Sequence, residues 1–433
     1  MPILSTSPLI SDAGASPPRR FHGRFLAVGF ASAIAALPGL LALGSARAFS
    51  RGKKSAGVAL LGAGALALAK IGALLVDSLR PAWHSGLAFK TNLTMFALYH
   101  VKGADGVDLW QLSPARIARV RAELGRGAKL MYRHLVSKAV AISDVALDDA
   151  EAADLVSLPS LPPFARLRPV VKFRVYRPTA APSAERLPCL VFAHGGGMAV
   201  GSCDTHEHIT SRLAEQAHCV VVSCEYRMMP DIESSEPACD LFAALRHVHL
   251  RAADYGVDAA RLGVGGDSAG GNLAATVALL ARDAGIALAF QLLVYPFVYG
   301  GLSCSESLLR NKDAPVLNLE SIGRLWSMAN KGRLFCTDRH AGEWELNGMS
   351  PLCAKSFAGL APAIVISAYY DPLFDHAEEY ARALRAAGVR VYYSCYYAMH
   401  GFWGGVTTRE GTLALRETSE LIAELFREGA PAS

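Results

Sequence analysis

From Leu187 to the C-terminus the 433-residue chain keeps one rhythm: a short apolar run, a longer segment of helical pattern, then another apolar run. The runs are "LPCLVFA", "CVVVSCEYR", "RLGVGG", "AFQLLVYP", "PAIVISAYYD" and "VRVYYSCYY", and the helical segments are 205–217, 238–253, 272–284, 372–387 and 409–428. A strand that is apolar at nearly every position is buried on both faces, as strands of parallel sheets are. Such strands alternating with helices imply a mostly parallel sheet with helices on both sides, an α/β fold. Ahead of this region, "VVKFRVYRP" (Val170–Pro178) alternates like a half-buried strand, and Ser113 to Val136 carries helical signals. No internal repeat is evident.

One run ends in an unusual way. "RLGVGGDSAGGNL" places Ser268 among glycines immediately before an Ala/Leu-rich helical segment. Gly266-x-Ser268-x-Gly270 fits a serine at the tip of a strand-to-helix turn so sharp that its flanking positions tolerate no side chain. Such a turn exposes the hydroxyl and aims the N–H of Ala269 at the oxygen of a group under attack. A nucleophilic serine also needs a base and a carboxylate to orient it. Asp371 follows "AIVISAYY" and His400 follows "VYYSCYYAM", each at the strand end where functional loops emerge, and the chain order Ser, Asp, His suits this architecture. Asp375 is the alternative acid, read as a support for the loop or helix start. Further donors come from "AHGGGMAVGS", where Gly195-Gly196-Gly197 closely follow a strand. With no G-K-[ST] and no G-x-G-x-x-G helix start, a nucleotide cradle is excluded.

Together, "HGGG", "GDSAGG", "DPLFD" and "HGF" resemble the hormone-sensitive lipase family of α/β-hydrolases, which includes bacterial esterases and membrane-anchored arylacetamide deacetylases. "THEH" (205–208), "EYRMMP" (225–230), "VYP" (294–296) and "SPL" (350–352) add to the resemblance, which runs from about Leu187 to the C-terminus. It implies the α/β-hydrolase fold, Ser268 as nucleophile, Asp371 as orienting acid, His400 as base, and oxyanion donors at Gly196, Gly197 and Ala269. The chain departs from the family at Glu225, where Asp is usual, at Met228-Met229-Pro230-Asp231 in place of an Ala-Pro-Glu turn, and at Tyr370, where Glu is frequent.

The N-terminal part is different in kind. After the basic cluster Arg19–Arg24, residues 25–46 carry no charge, a length that spans a bilayer, and 56–76 form a second, Gly/Ala-rich run broken only by Lys70. An uncleaved anchor with one or two membrane helices within 1–80 is expected. A signal peptide cut near Ala46-Arg47-Ala48 and a transit peptide are the alternatives, the first disfavoured by its long leader and the second by the uncharged length. The expected locale is an internal membrane such as the endoplasmic reticulum, with the side of the catalytic domain open. Residues 81–180 then read as a cap and linker and 181–433 as the catalytic domain, with a lid insertion at about 297–349; 81–165 is a second lid candidate.

Composition narrows the partners. Of the formal charge of +5, residues 1–54 account for +6 (seven Lys/Arg against Asp12), which leaves −1 on the remainder and no basic patch for nucleic acid. Nine cysteines lack any C-x-x-C pair and read as buried thiols. His206 and His208 flank Glu207 without a third ligand nearby, so hydrogen bonding is expected there rather than a metal. His247 and His249 lie two apart on a helix and share no face. Tyr392, Tyr393, Tyr396 and Tyr397 read as strand packing. The expected function is a serine carboxylic-ester hydrolase with no cofactor, acting on small-molecule or lipid esters. Amide or acetyl-ester deacetylation and a non-catalytic small-molecule receptor are the alternatives, and the oligomeric state is open.

Overall fold

The computed structural model describes residues 114–232, 234–299, 305–314, 316–329, 348–403 and 409–428. The membrane helices expected within 1–80 lie outside these residues. Among the described helices none is long and apolar enough to cross a membrane.

The elements in chain order are α1 (Pro114–Tyr132), β1 (Val140–Ala146), α2 (Asp149–Asp154), β2 (Lys172–Pro178), β3 (Leu187–Ala193), α3 (Cys203–Gln216), β4 (Val220–Cys224) and α4 (Glu236–Leu250). They continue with β5 (Val257–Asp267), α5 (Ala269–Asp283), β6 (Phe290–Val294), α6 (Glu306–Arg310) and α7 (Leu319–Ala329). β7 (Ala363–Ala368), α8 (Phe374–Ala386), β8 (Val391–Tyr396) and α9 (Arg409–Glu428) complete the series. One eight-stranded sheet runs in the order β1-β2-β4-β3-β5-β6-β7-β8. β2 pairs antiparallel with β1 and β4, and every pair from β4 to β8 is parallel. The expected α/β architecture with a mostly parallel sheet is therefore what forms.

Both faces of the sheet are covered, which is why the central strands are apolar throughout. Along β3, Val191 and Ala193 face a core that contains Leu241 and Leu245 of α4, Leu273 and Val277 of α5 and Tyr380 of α8. Leu190 and Phe192 face the opposite core, with Leu213 of α3 and Ile422 and Phe426 of α9. Each fully buried Val, Leu, Ile or Phe side chain here contributes roughly 1.5–3 kcal/mol by leaving water.

Two features differ from the sequence reading. β1 has only its first residue buried, so "VAISDVA" lacks the apolar run that marks the other strands. It forms because β2 presents an open edge, with Val140 opposite Pro178 and Ala146 opposite Lys172. The sheet thus draws two strands from 140–178, ahead of the boundary at 181 suggested by the apolar rhythm.

An ion pair between half-buried Arg227 and fully buried Asp240 fixes the turn after β4. The carboxylate of Asp240, fully buried on α4, accepts from Arg227 N (2.9 Å), Nε (3.0 Å) and Nη2 (2.8 Å) and from Val170 N (2.8 Å). Removing one partner of such a pair leaves an uncompensated buried charge. Arg227→Met, which strands the fully buried Asp240 carboxylate, should therefore lower the unfolding free energy by about 3–5 kcal/mol, seen as a lower urea midpoint at unchanged slope. A midpoint equal to wild type would refute this role.

Candidate active site

Only Ser268 separates β5 from α5, and the chain turns there at φ 56° and ψ −117°. For a residue with a Cβ this left-handed backbone costs on the order of 1–3 kcal/mol and persists only where the surroundings enforce it. Here they do. A Cβ on Gly266 would collide with the carbonyls of Gly270 and Ala193, and a Cβ on Gly270 with the carbonyl of Ala193. The Ser268 N–H donates to Val294 O (2.8 Å), and Ser268 O accepts from Asn272 N (3.1 Å) and Phe297 N (3.3 Å). Neighbouring β6 thus holds the tip of the turn from one side and α5 from the other.

The turn brings the hydroxyl to the histidine. Ser268 Oγ lies 2.8 Å from His400 Nε2, and His400 Nδ1 lies 2.6 Å from Asp371 Oδ2. With Nδ1–H donated to the carboxylate, Nε2 presents its lone pair to the serine. Asp371 is fully buried after β7; its other oxygen accepts from Leu373 N (2.8 Å), and its carbonyl accepts from Asn311 Nδ2 (3.0 Å). The His400 ring packs on Tyr295 with centroids 4.8 Å apart. All three predicted residues therefore meet although 132 positions separate serine from histidine.

Asp375 acts elsewhere. Its carboxylate accepts from Ser307 N (2.8 Å), while Ser307 Oγ donates to Pro372 O (2.9 Å) and accepts from Asp375 N (3.1 Å). This ties α6 to the Asp371 loop. Described parts of the 297–349 insertion continue along that side: Leu308, Leu317 and Ile322 cluster with Leu373, and Phe297 packs on Trp326 at 5.6 Å.

The glycine loop after β3 turns through φ 112° at Gly196, 64° at Gly197 and 56° at Met198. A Cβ on Gly196 would strike the Val200 carbonyl. The N–H groups of Gly196, Gly197 and Ala269 take no acceptor among the described residues. The loop is braced from outside by contacts that sequence patterns do not reveal. Met229 N donates to Met198 O (2.8 Å), and Arg121 Nε of α1 donates to Ala199 O (2.7 Å).

A buried polar cluster lies beneath this loop. Tyr226 stacks on His194 at 4.2 Å, and its hydroxyl donates to His194 O (2.6 Å). His194 Nδ1 is 2.8 Å from Gly195 O. Burial, then the neighbouring His206, lowers the His194 pKa to about 4, so the ring stays neutral at physiological pH. His206 Nε2 lies 3.2 Å from Asp267 Oδ1, and its Nδ1 lies 2.9 Å from Thr205 Oγ1. Among the described residues no group of three or more His, Cys, Asp or Glu is arranged to hold a metal. His247 bonds Tyr255 Oη at 2.8 Å, and Tyr393 bonds Ser367 at 2.7 Å.

A serine, a histidine and a buried carboxylate in hydrogen-bonded line, on a strained strand-to-helix turn beside a glycine loop with open N–H groups, define a serine hydrolase of the α/β-hydrolase class. The family model described as alpha/beta hydrolase fold matches residues 190–404. The chain is 36% identical over 259 residues to esterase LipI of Mycobacterium tuberculosis, a match covering 56% of this chain and 77% of LipI. It is 38% identical over 222 residues to carboxylesterase NlhH of the same species, covering 51% of this chain and 67% of NlhH. Among solved structures, the hyperthermophilic esterase of Pyrobaculum calidifontis superposes with a TM-score of 0.64 at 28% identity, over 78% of this chain and 98% of that one. The chain belongs to the hormone-sensitive lipase and carboxylesterase family of α/β-hydrolases.

The cluster beneath the loop has a pH signature. His194 accepts its proton in the unfolded chain near the ordinary value of 6.5 but in the folded protein only at about 4. Below pH 6.5 the unfolded state therefore binds more protons, and stability falls as pH drops toward 4. The contribution is roughly 3 kcal/mol. Urea unfolding at pH 7 and pH 4 should show a smaller loss for His194→Gln than for wild type; equal losses would contradict it.

Proposed function

We propose that the protein is a carboxylic-ester hydrolase in which Ser268 attacks the ester carbonyl, His400 carries the proton and Asp371 orients the imidazole. The observation that carries this reading is the unbroken line from Asp371 through His400 to Ser268, with separations of 2.6 and 2.8 Å. In acylation the Ser268 proton passes to His400 Nε2 as Oγ bonds to the carbonyl carbon. The oxygen that becomes negative faces the N–H groups of Gly196, Gly197 and Ala269, and each such donor lowers the barrier by about 2.7–4 kcal/mol. Collapse expels the alcohol, which takes its proton from His400. Water then attacks the acyl-enzyme with His400 as base, releasing the acid and restoring Ser268. Asp371 stays ionised and stabilises the imidazolium formed in each half.

The substrates proposed are hydrophobic esters. Phe297, whose N–H contacts the serine carbonyl, and the apolar cluster of the insertion beside the Asp371 loop support that choice. We also propose that residues 25–46 hold the chain at an internal membrane, a reading supported by their uncharged length and basic flanks.

Hydrolysis of p-nitrophenyl esters of graded acyl length tests the reaction. Ser268→Ala should lower kcat about 10⁶-fold and Asp371→Asn about 10⁴-fold, with binding little changed. Folded wild type no faster than Ser268→Ala on every ester would overturn the reading. For the membrane proposal, the full chain should sediment with membranes and resist alkaline extraction, whereas a chain lacking 1–80 should be released. Equal release of both would refute the anchor.

A further inference from the structure

The residue before the nucleophile is an acid that the reaction above leaves unused. Asp267 is buried at the end of β5, and its Oδ1 accepts the N–H of Gly195 at 2.9 Å. The same oxygen stands 3.2 Å from His206 Nε2. Gly195 opens the run whose next two residues carry the proposed oxyanion donors, and Asp267 is covalently joined to Ser268. One carboxylate oxygen thus bridges the glycine loop and the nucleophile turn. Contact is close: a Cβ on Gly195 would collide with Asp267 Oδ2. Burial alone would push the Asp267 carboxyl up, but His206, His194 and the Gly195 N–H outweigh it and hold the group below its ordinary value. The carboxylate therefore remains an acceptor.

His206 is itself fixed. It stands in the first turn of α3, with Nδ1 2.9 Å from Thr205 Oγ1, and Thr205 is locked in a capping box with Ser202. Its ring lies beside those of His194 (5.6 Å) and Phe192 (6.4 Å). A loop with positive φ at Gly196, Gly197 and Met198 has many conformations open to it and depends on external tethers.

Resting on the serine-hydrolase reading, we propose that His206 is a positioning residue for ester hydrolysis: through Asp267 it fixes the separation of the Gly195–Gly197 loop and the Ser268 turn, so that the oxyanion donors are aligned when charge develops. Misplacement of catalytic groups by about 1 Å costs up to 10²-fold in rate.

The test uses the full chain with His206→Leu, which removes the donor, His206→Gln, whose amide N–H replaces Nε2–H, Asp267→Asn, and the double variant His206→Leu/Asp267→Asn. His206→Leu should lower kcat by about 10- to 100-fold with KM within about twofold. An aryl trifluoromethyl ketone, whose serine adduct carries an oxyanion, should bind more weakly by a similar factor. His206→Gln should recover most of both, and the double variant should be no worse than the poorer single one. Wild-type kcat in folded His206→Leu, a kcat loss without weaker ketone binding, or no recovery by Gln would overturn the proposal. Should His206→Leu fail to fold, Asp267→Asn carries the same comparison of kcat, KM and ketone affinity. Ser268→Ala run alongside separates the two claims. Serine-dependent turnover that ignores His206 removes only the positioning role, whereas turnover independent of Ser268 removes the reading beneath it.

Discussion

The carbonyl of Ala193, at the end of β3, occupies space that a Cβ on Gly266 or Gly270 would need. This contact between β3 and the turn after β5 sets how near the glycine loop can come to Ser268. Because the approach is that tight, the chain reverses from strand to helix within one residue, and Ser268 takes a backbone conformation that glycine would adopt more easily. The strain is held by bonds from Val294, Asn272 and Phe297 and by the packing of α5 on the sheet. Exposure of the hydroxyl is a consequence of that close approach.

Around this point the other groups arrive from separate elements. Asp371 and His400 come from the loops after β7 and β8, which lie together at the far end of the parallel series. The glycine loop comes from β3, on the other side of β5. The site is thus assembled across the sheet, and its accuracy depends on ties between loops: Asp267 to Gly195, Met229 to Met198, Arg121 to Ala199 and Asn311 to Asp371. Buried, partnered groups serve this purpose because the low-dielectric interior makes each hydrogen bond costly to break.

The residues that meet at the candidate site were legible because each follows a strand whose apolar run is unmistakable, and because glycines mark the turn where space is missing. The α/β architecture was legible for the same reason. β1 was not, since "VAISDVA" exposes most of its side chains and owes its conformation to the edge offered by β2. Helices α3, α4 and α5 begin two or three residues before their apolar pattern does, where Ser202, Ser235 and Ser268 occupy the N-cap positions. His206 was legible as a hydrogen-bonding residue, but its partner was not. Asp267 is distant in sequence, and no periodicity links a helix start to the residue before Ser268.

Sequence alone determined the class of chemistry: a serine between glycines, then an acid and a histidine each after a buried strand, in an order that a parallel sheet brings together. It could do so because steric exclusion and burial act locally and leave their mark on residue type. The tertiary structure decided the distances of 2.6 and 2.8 Å, that Asp371 rather than Asp375 lies against His400, and the bridge from His206 through Asp267 to Gly195. Those depend on the register and twist of strands far apart in the chain, and hydrogen bonds formed across them leave no pattern in the order of residues.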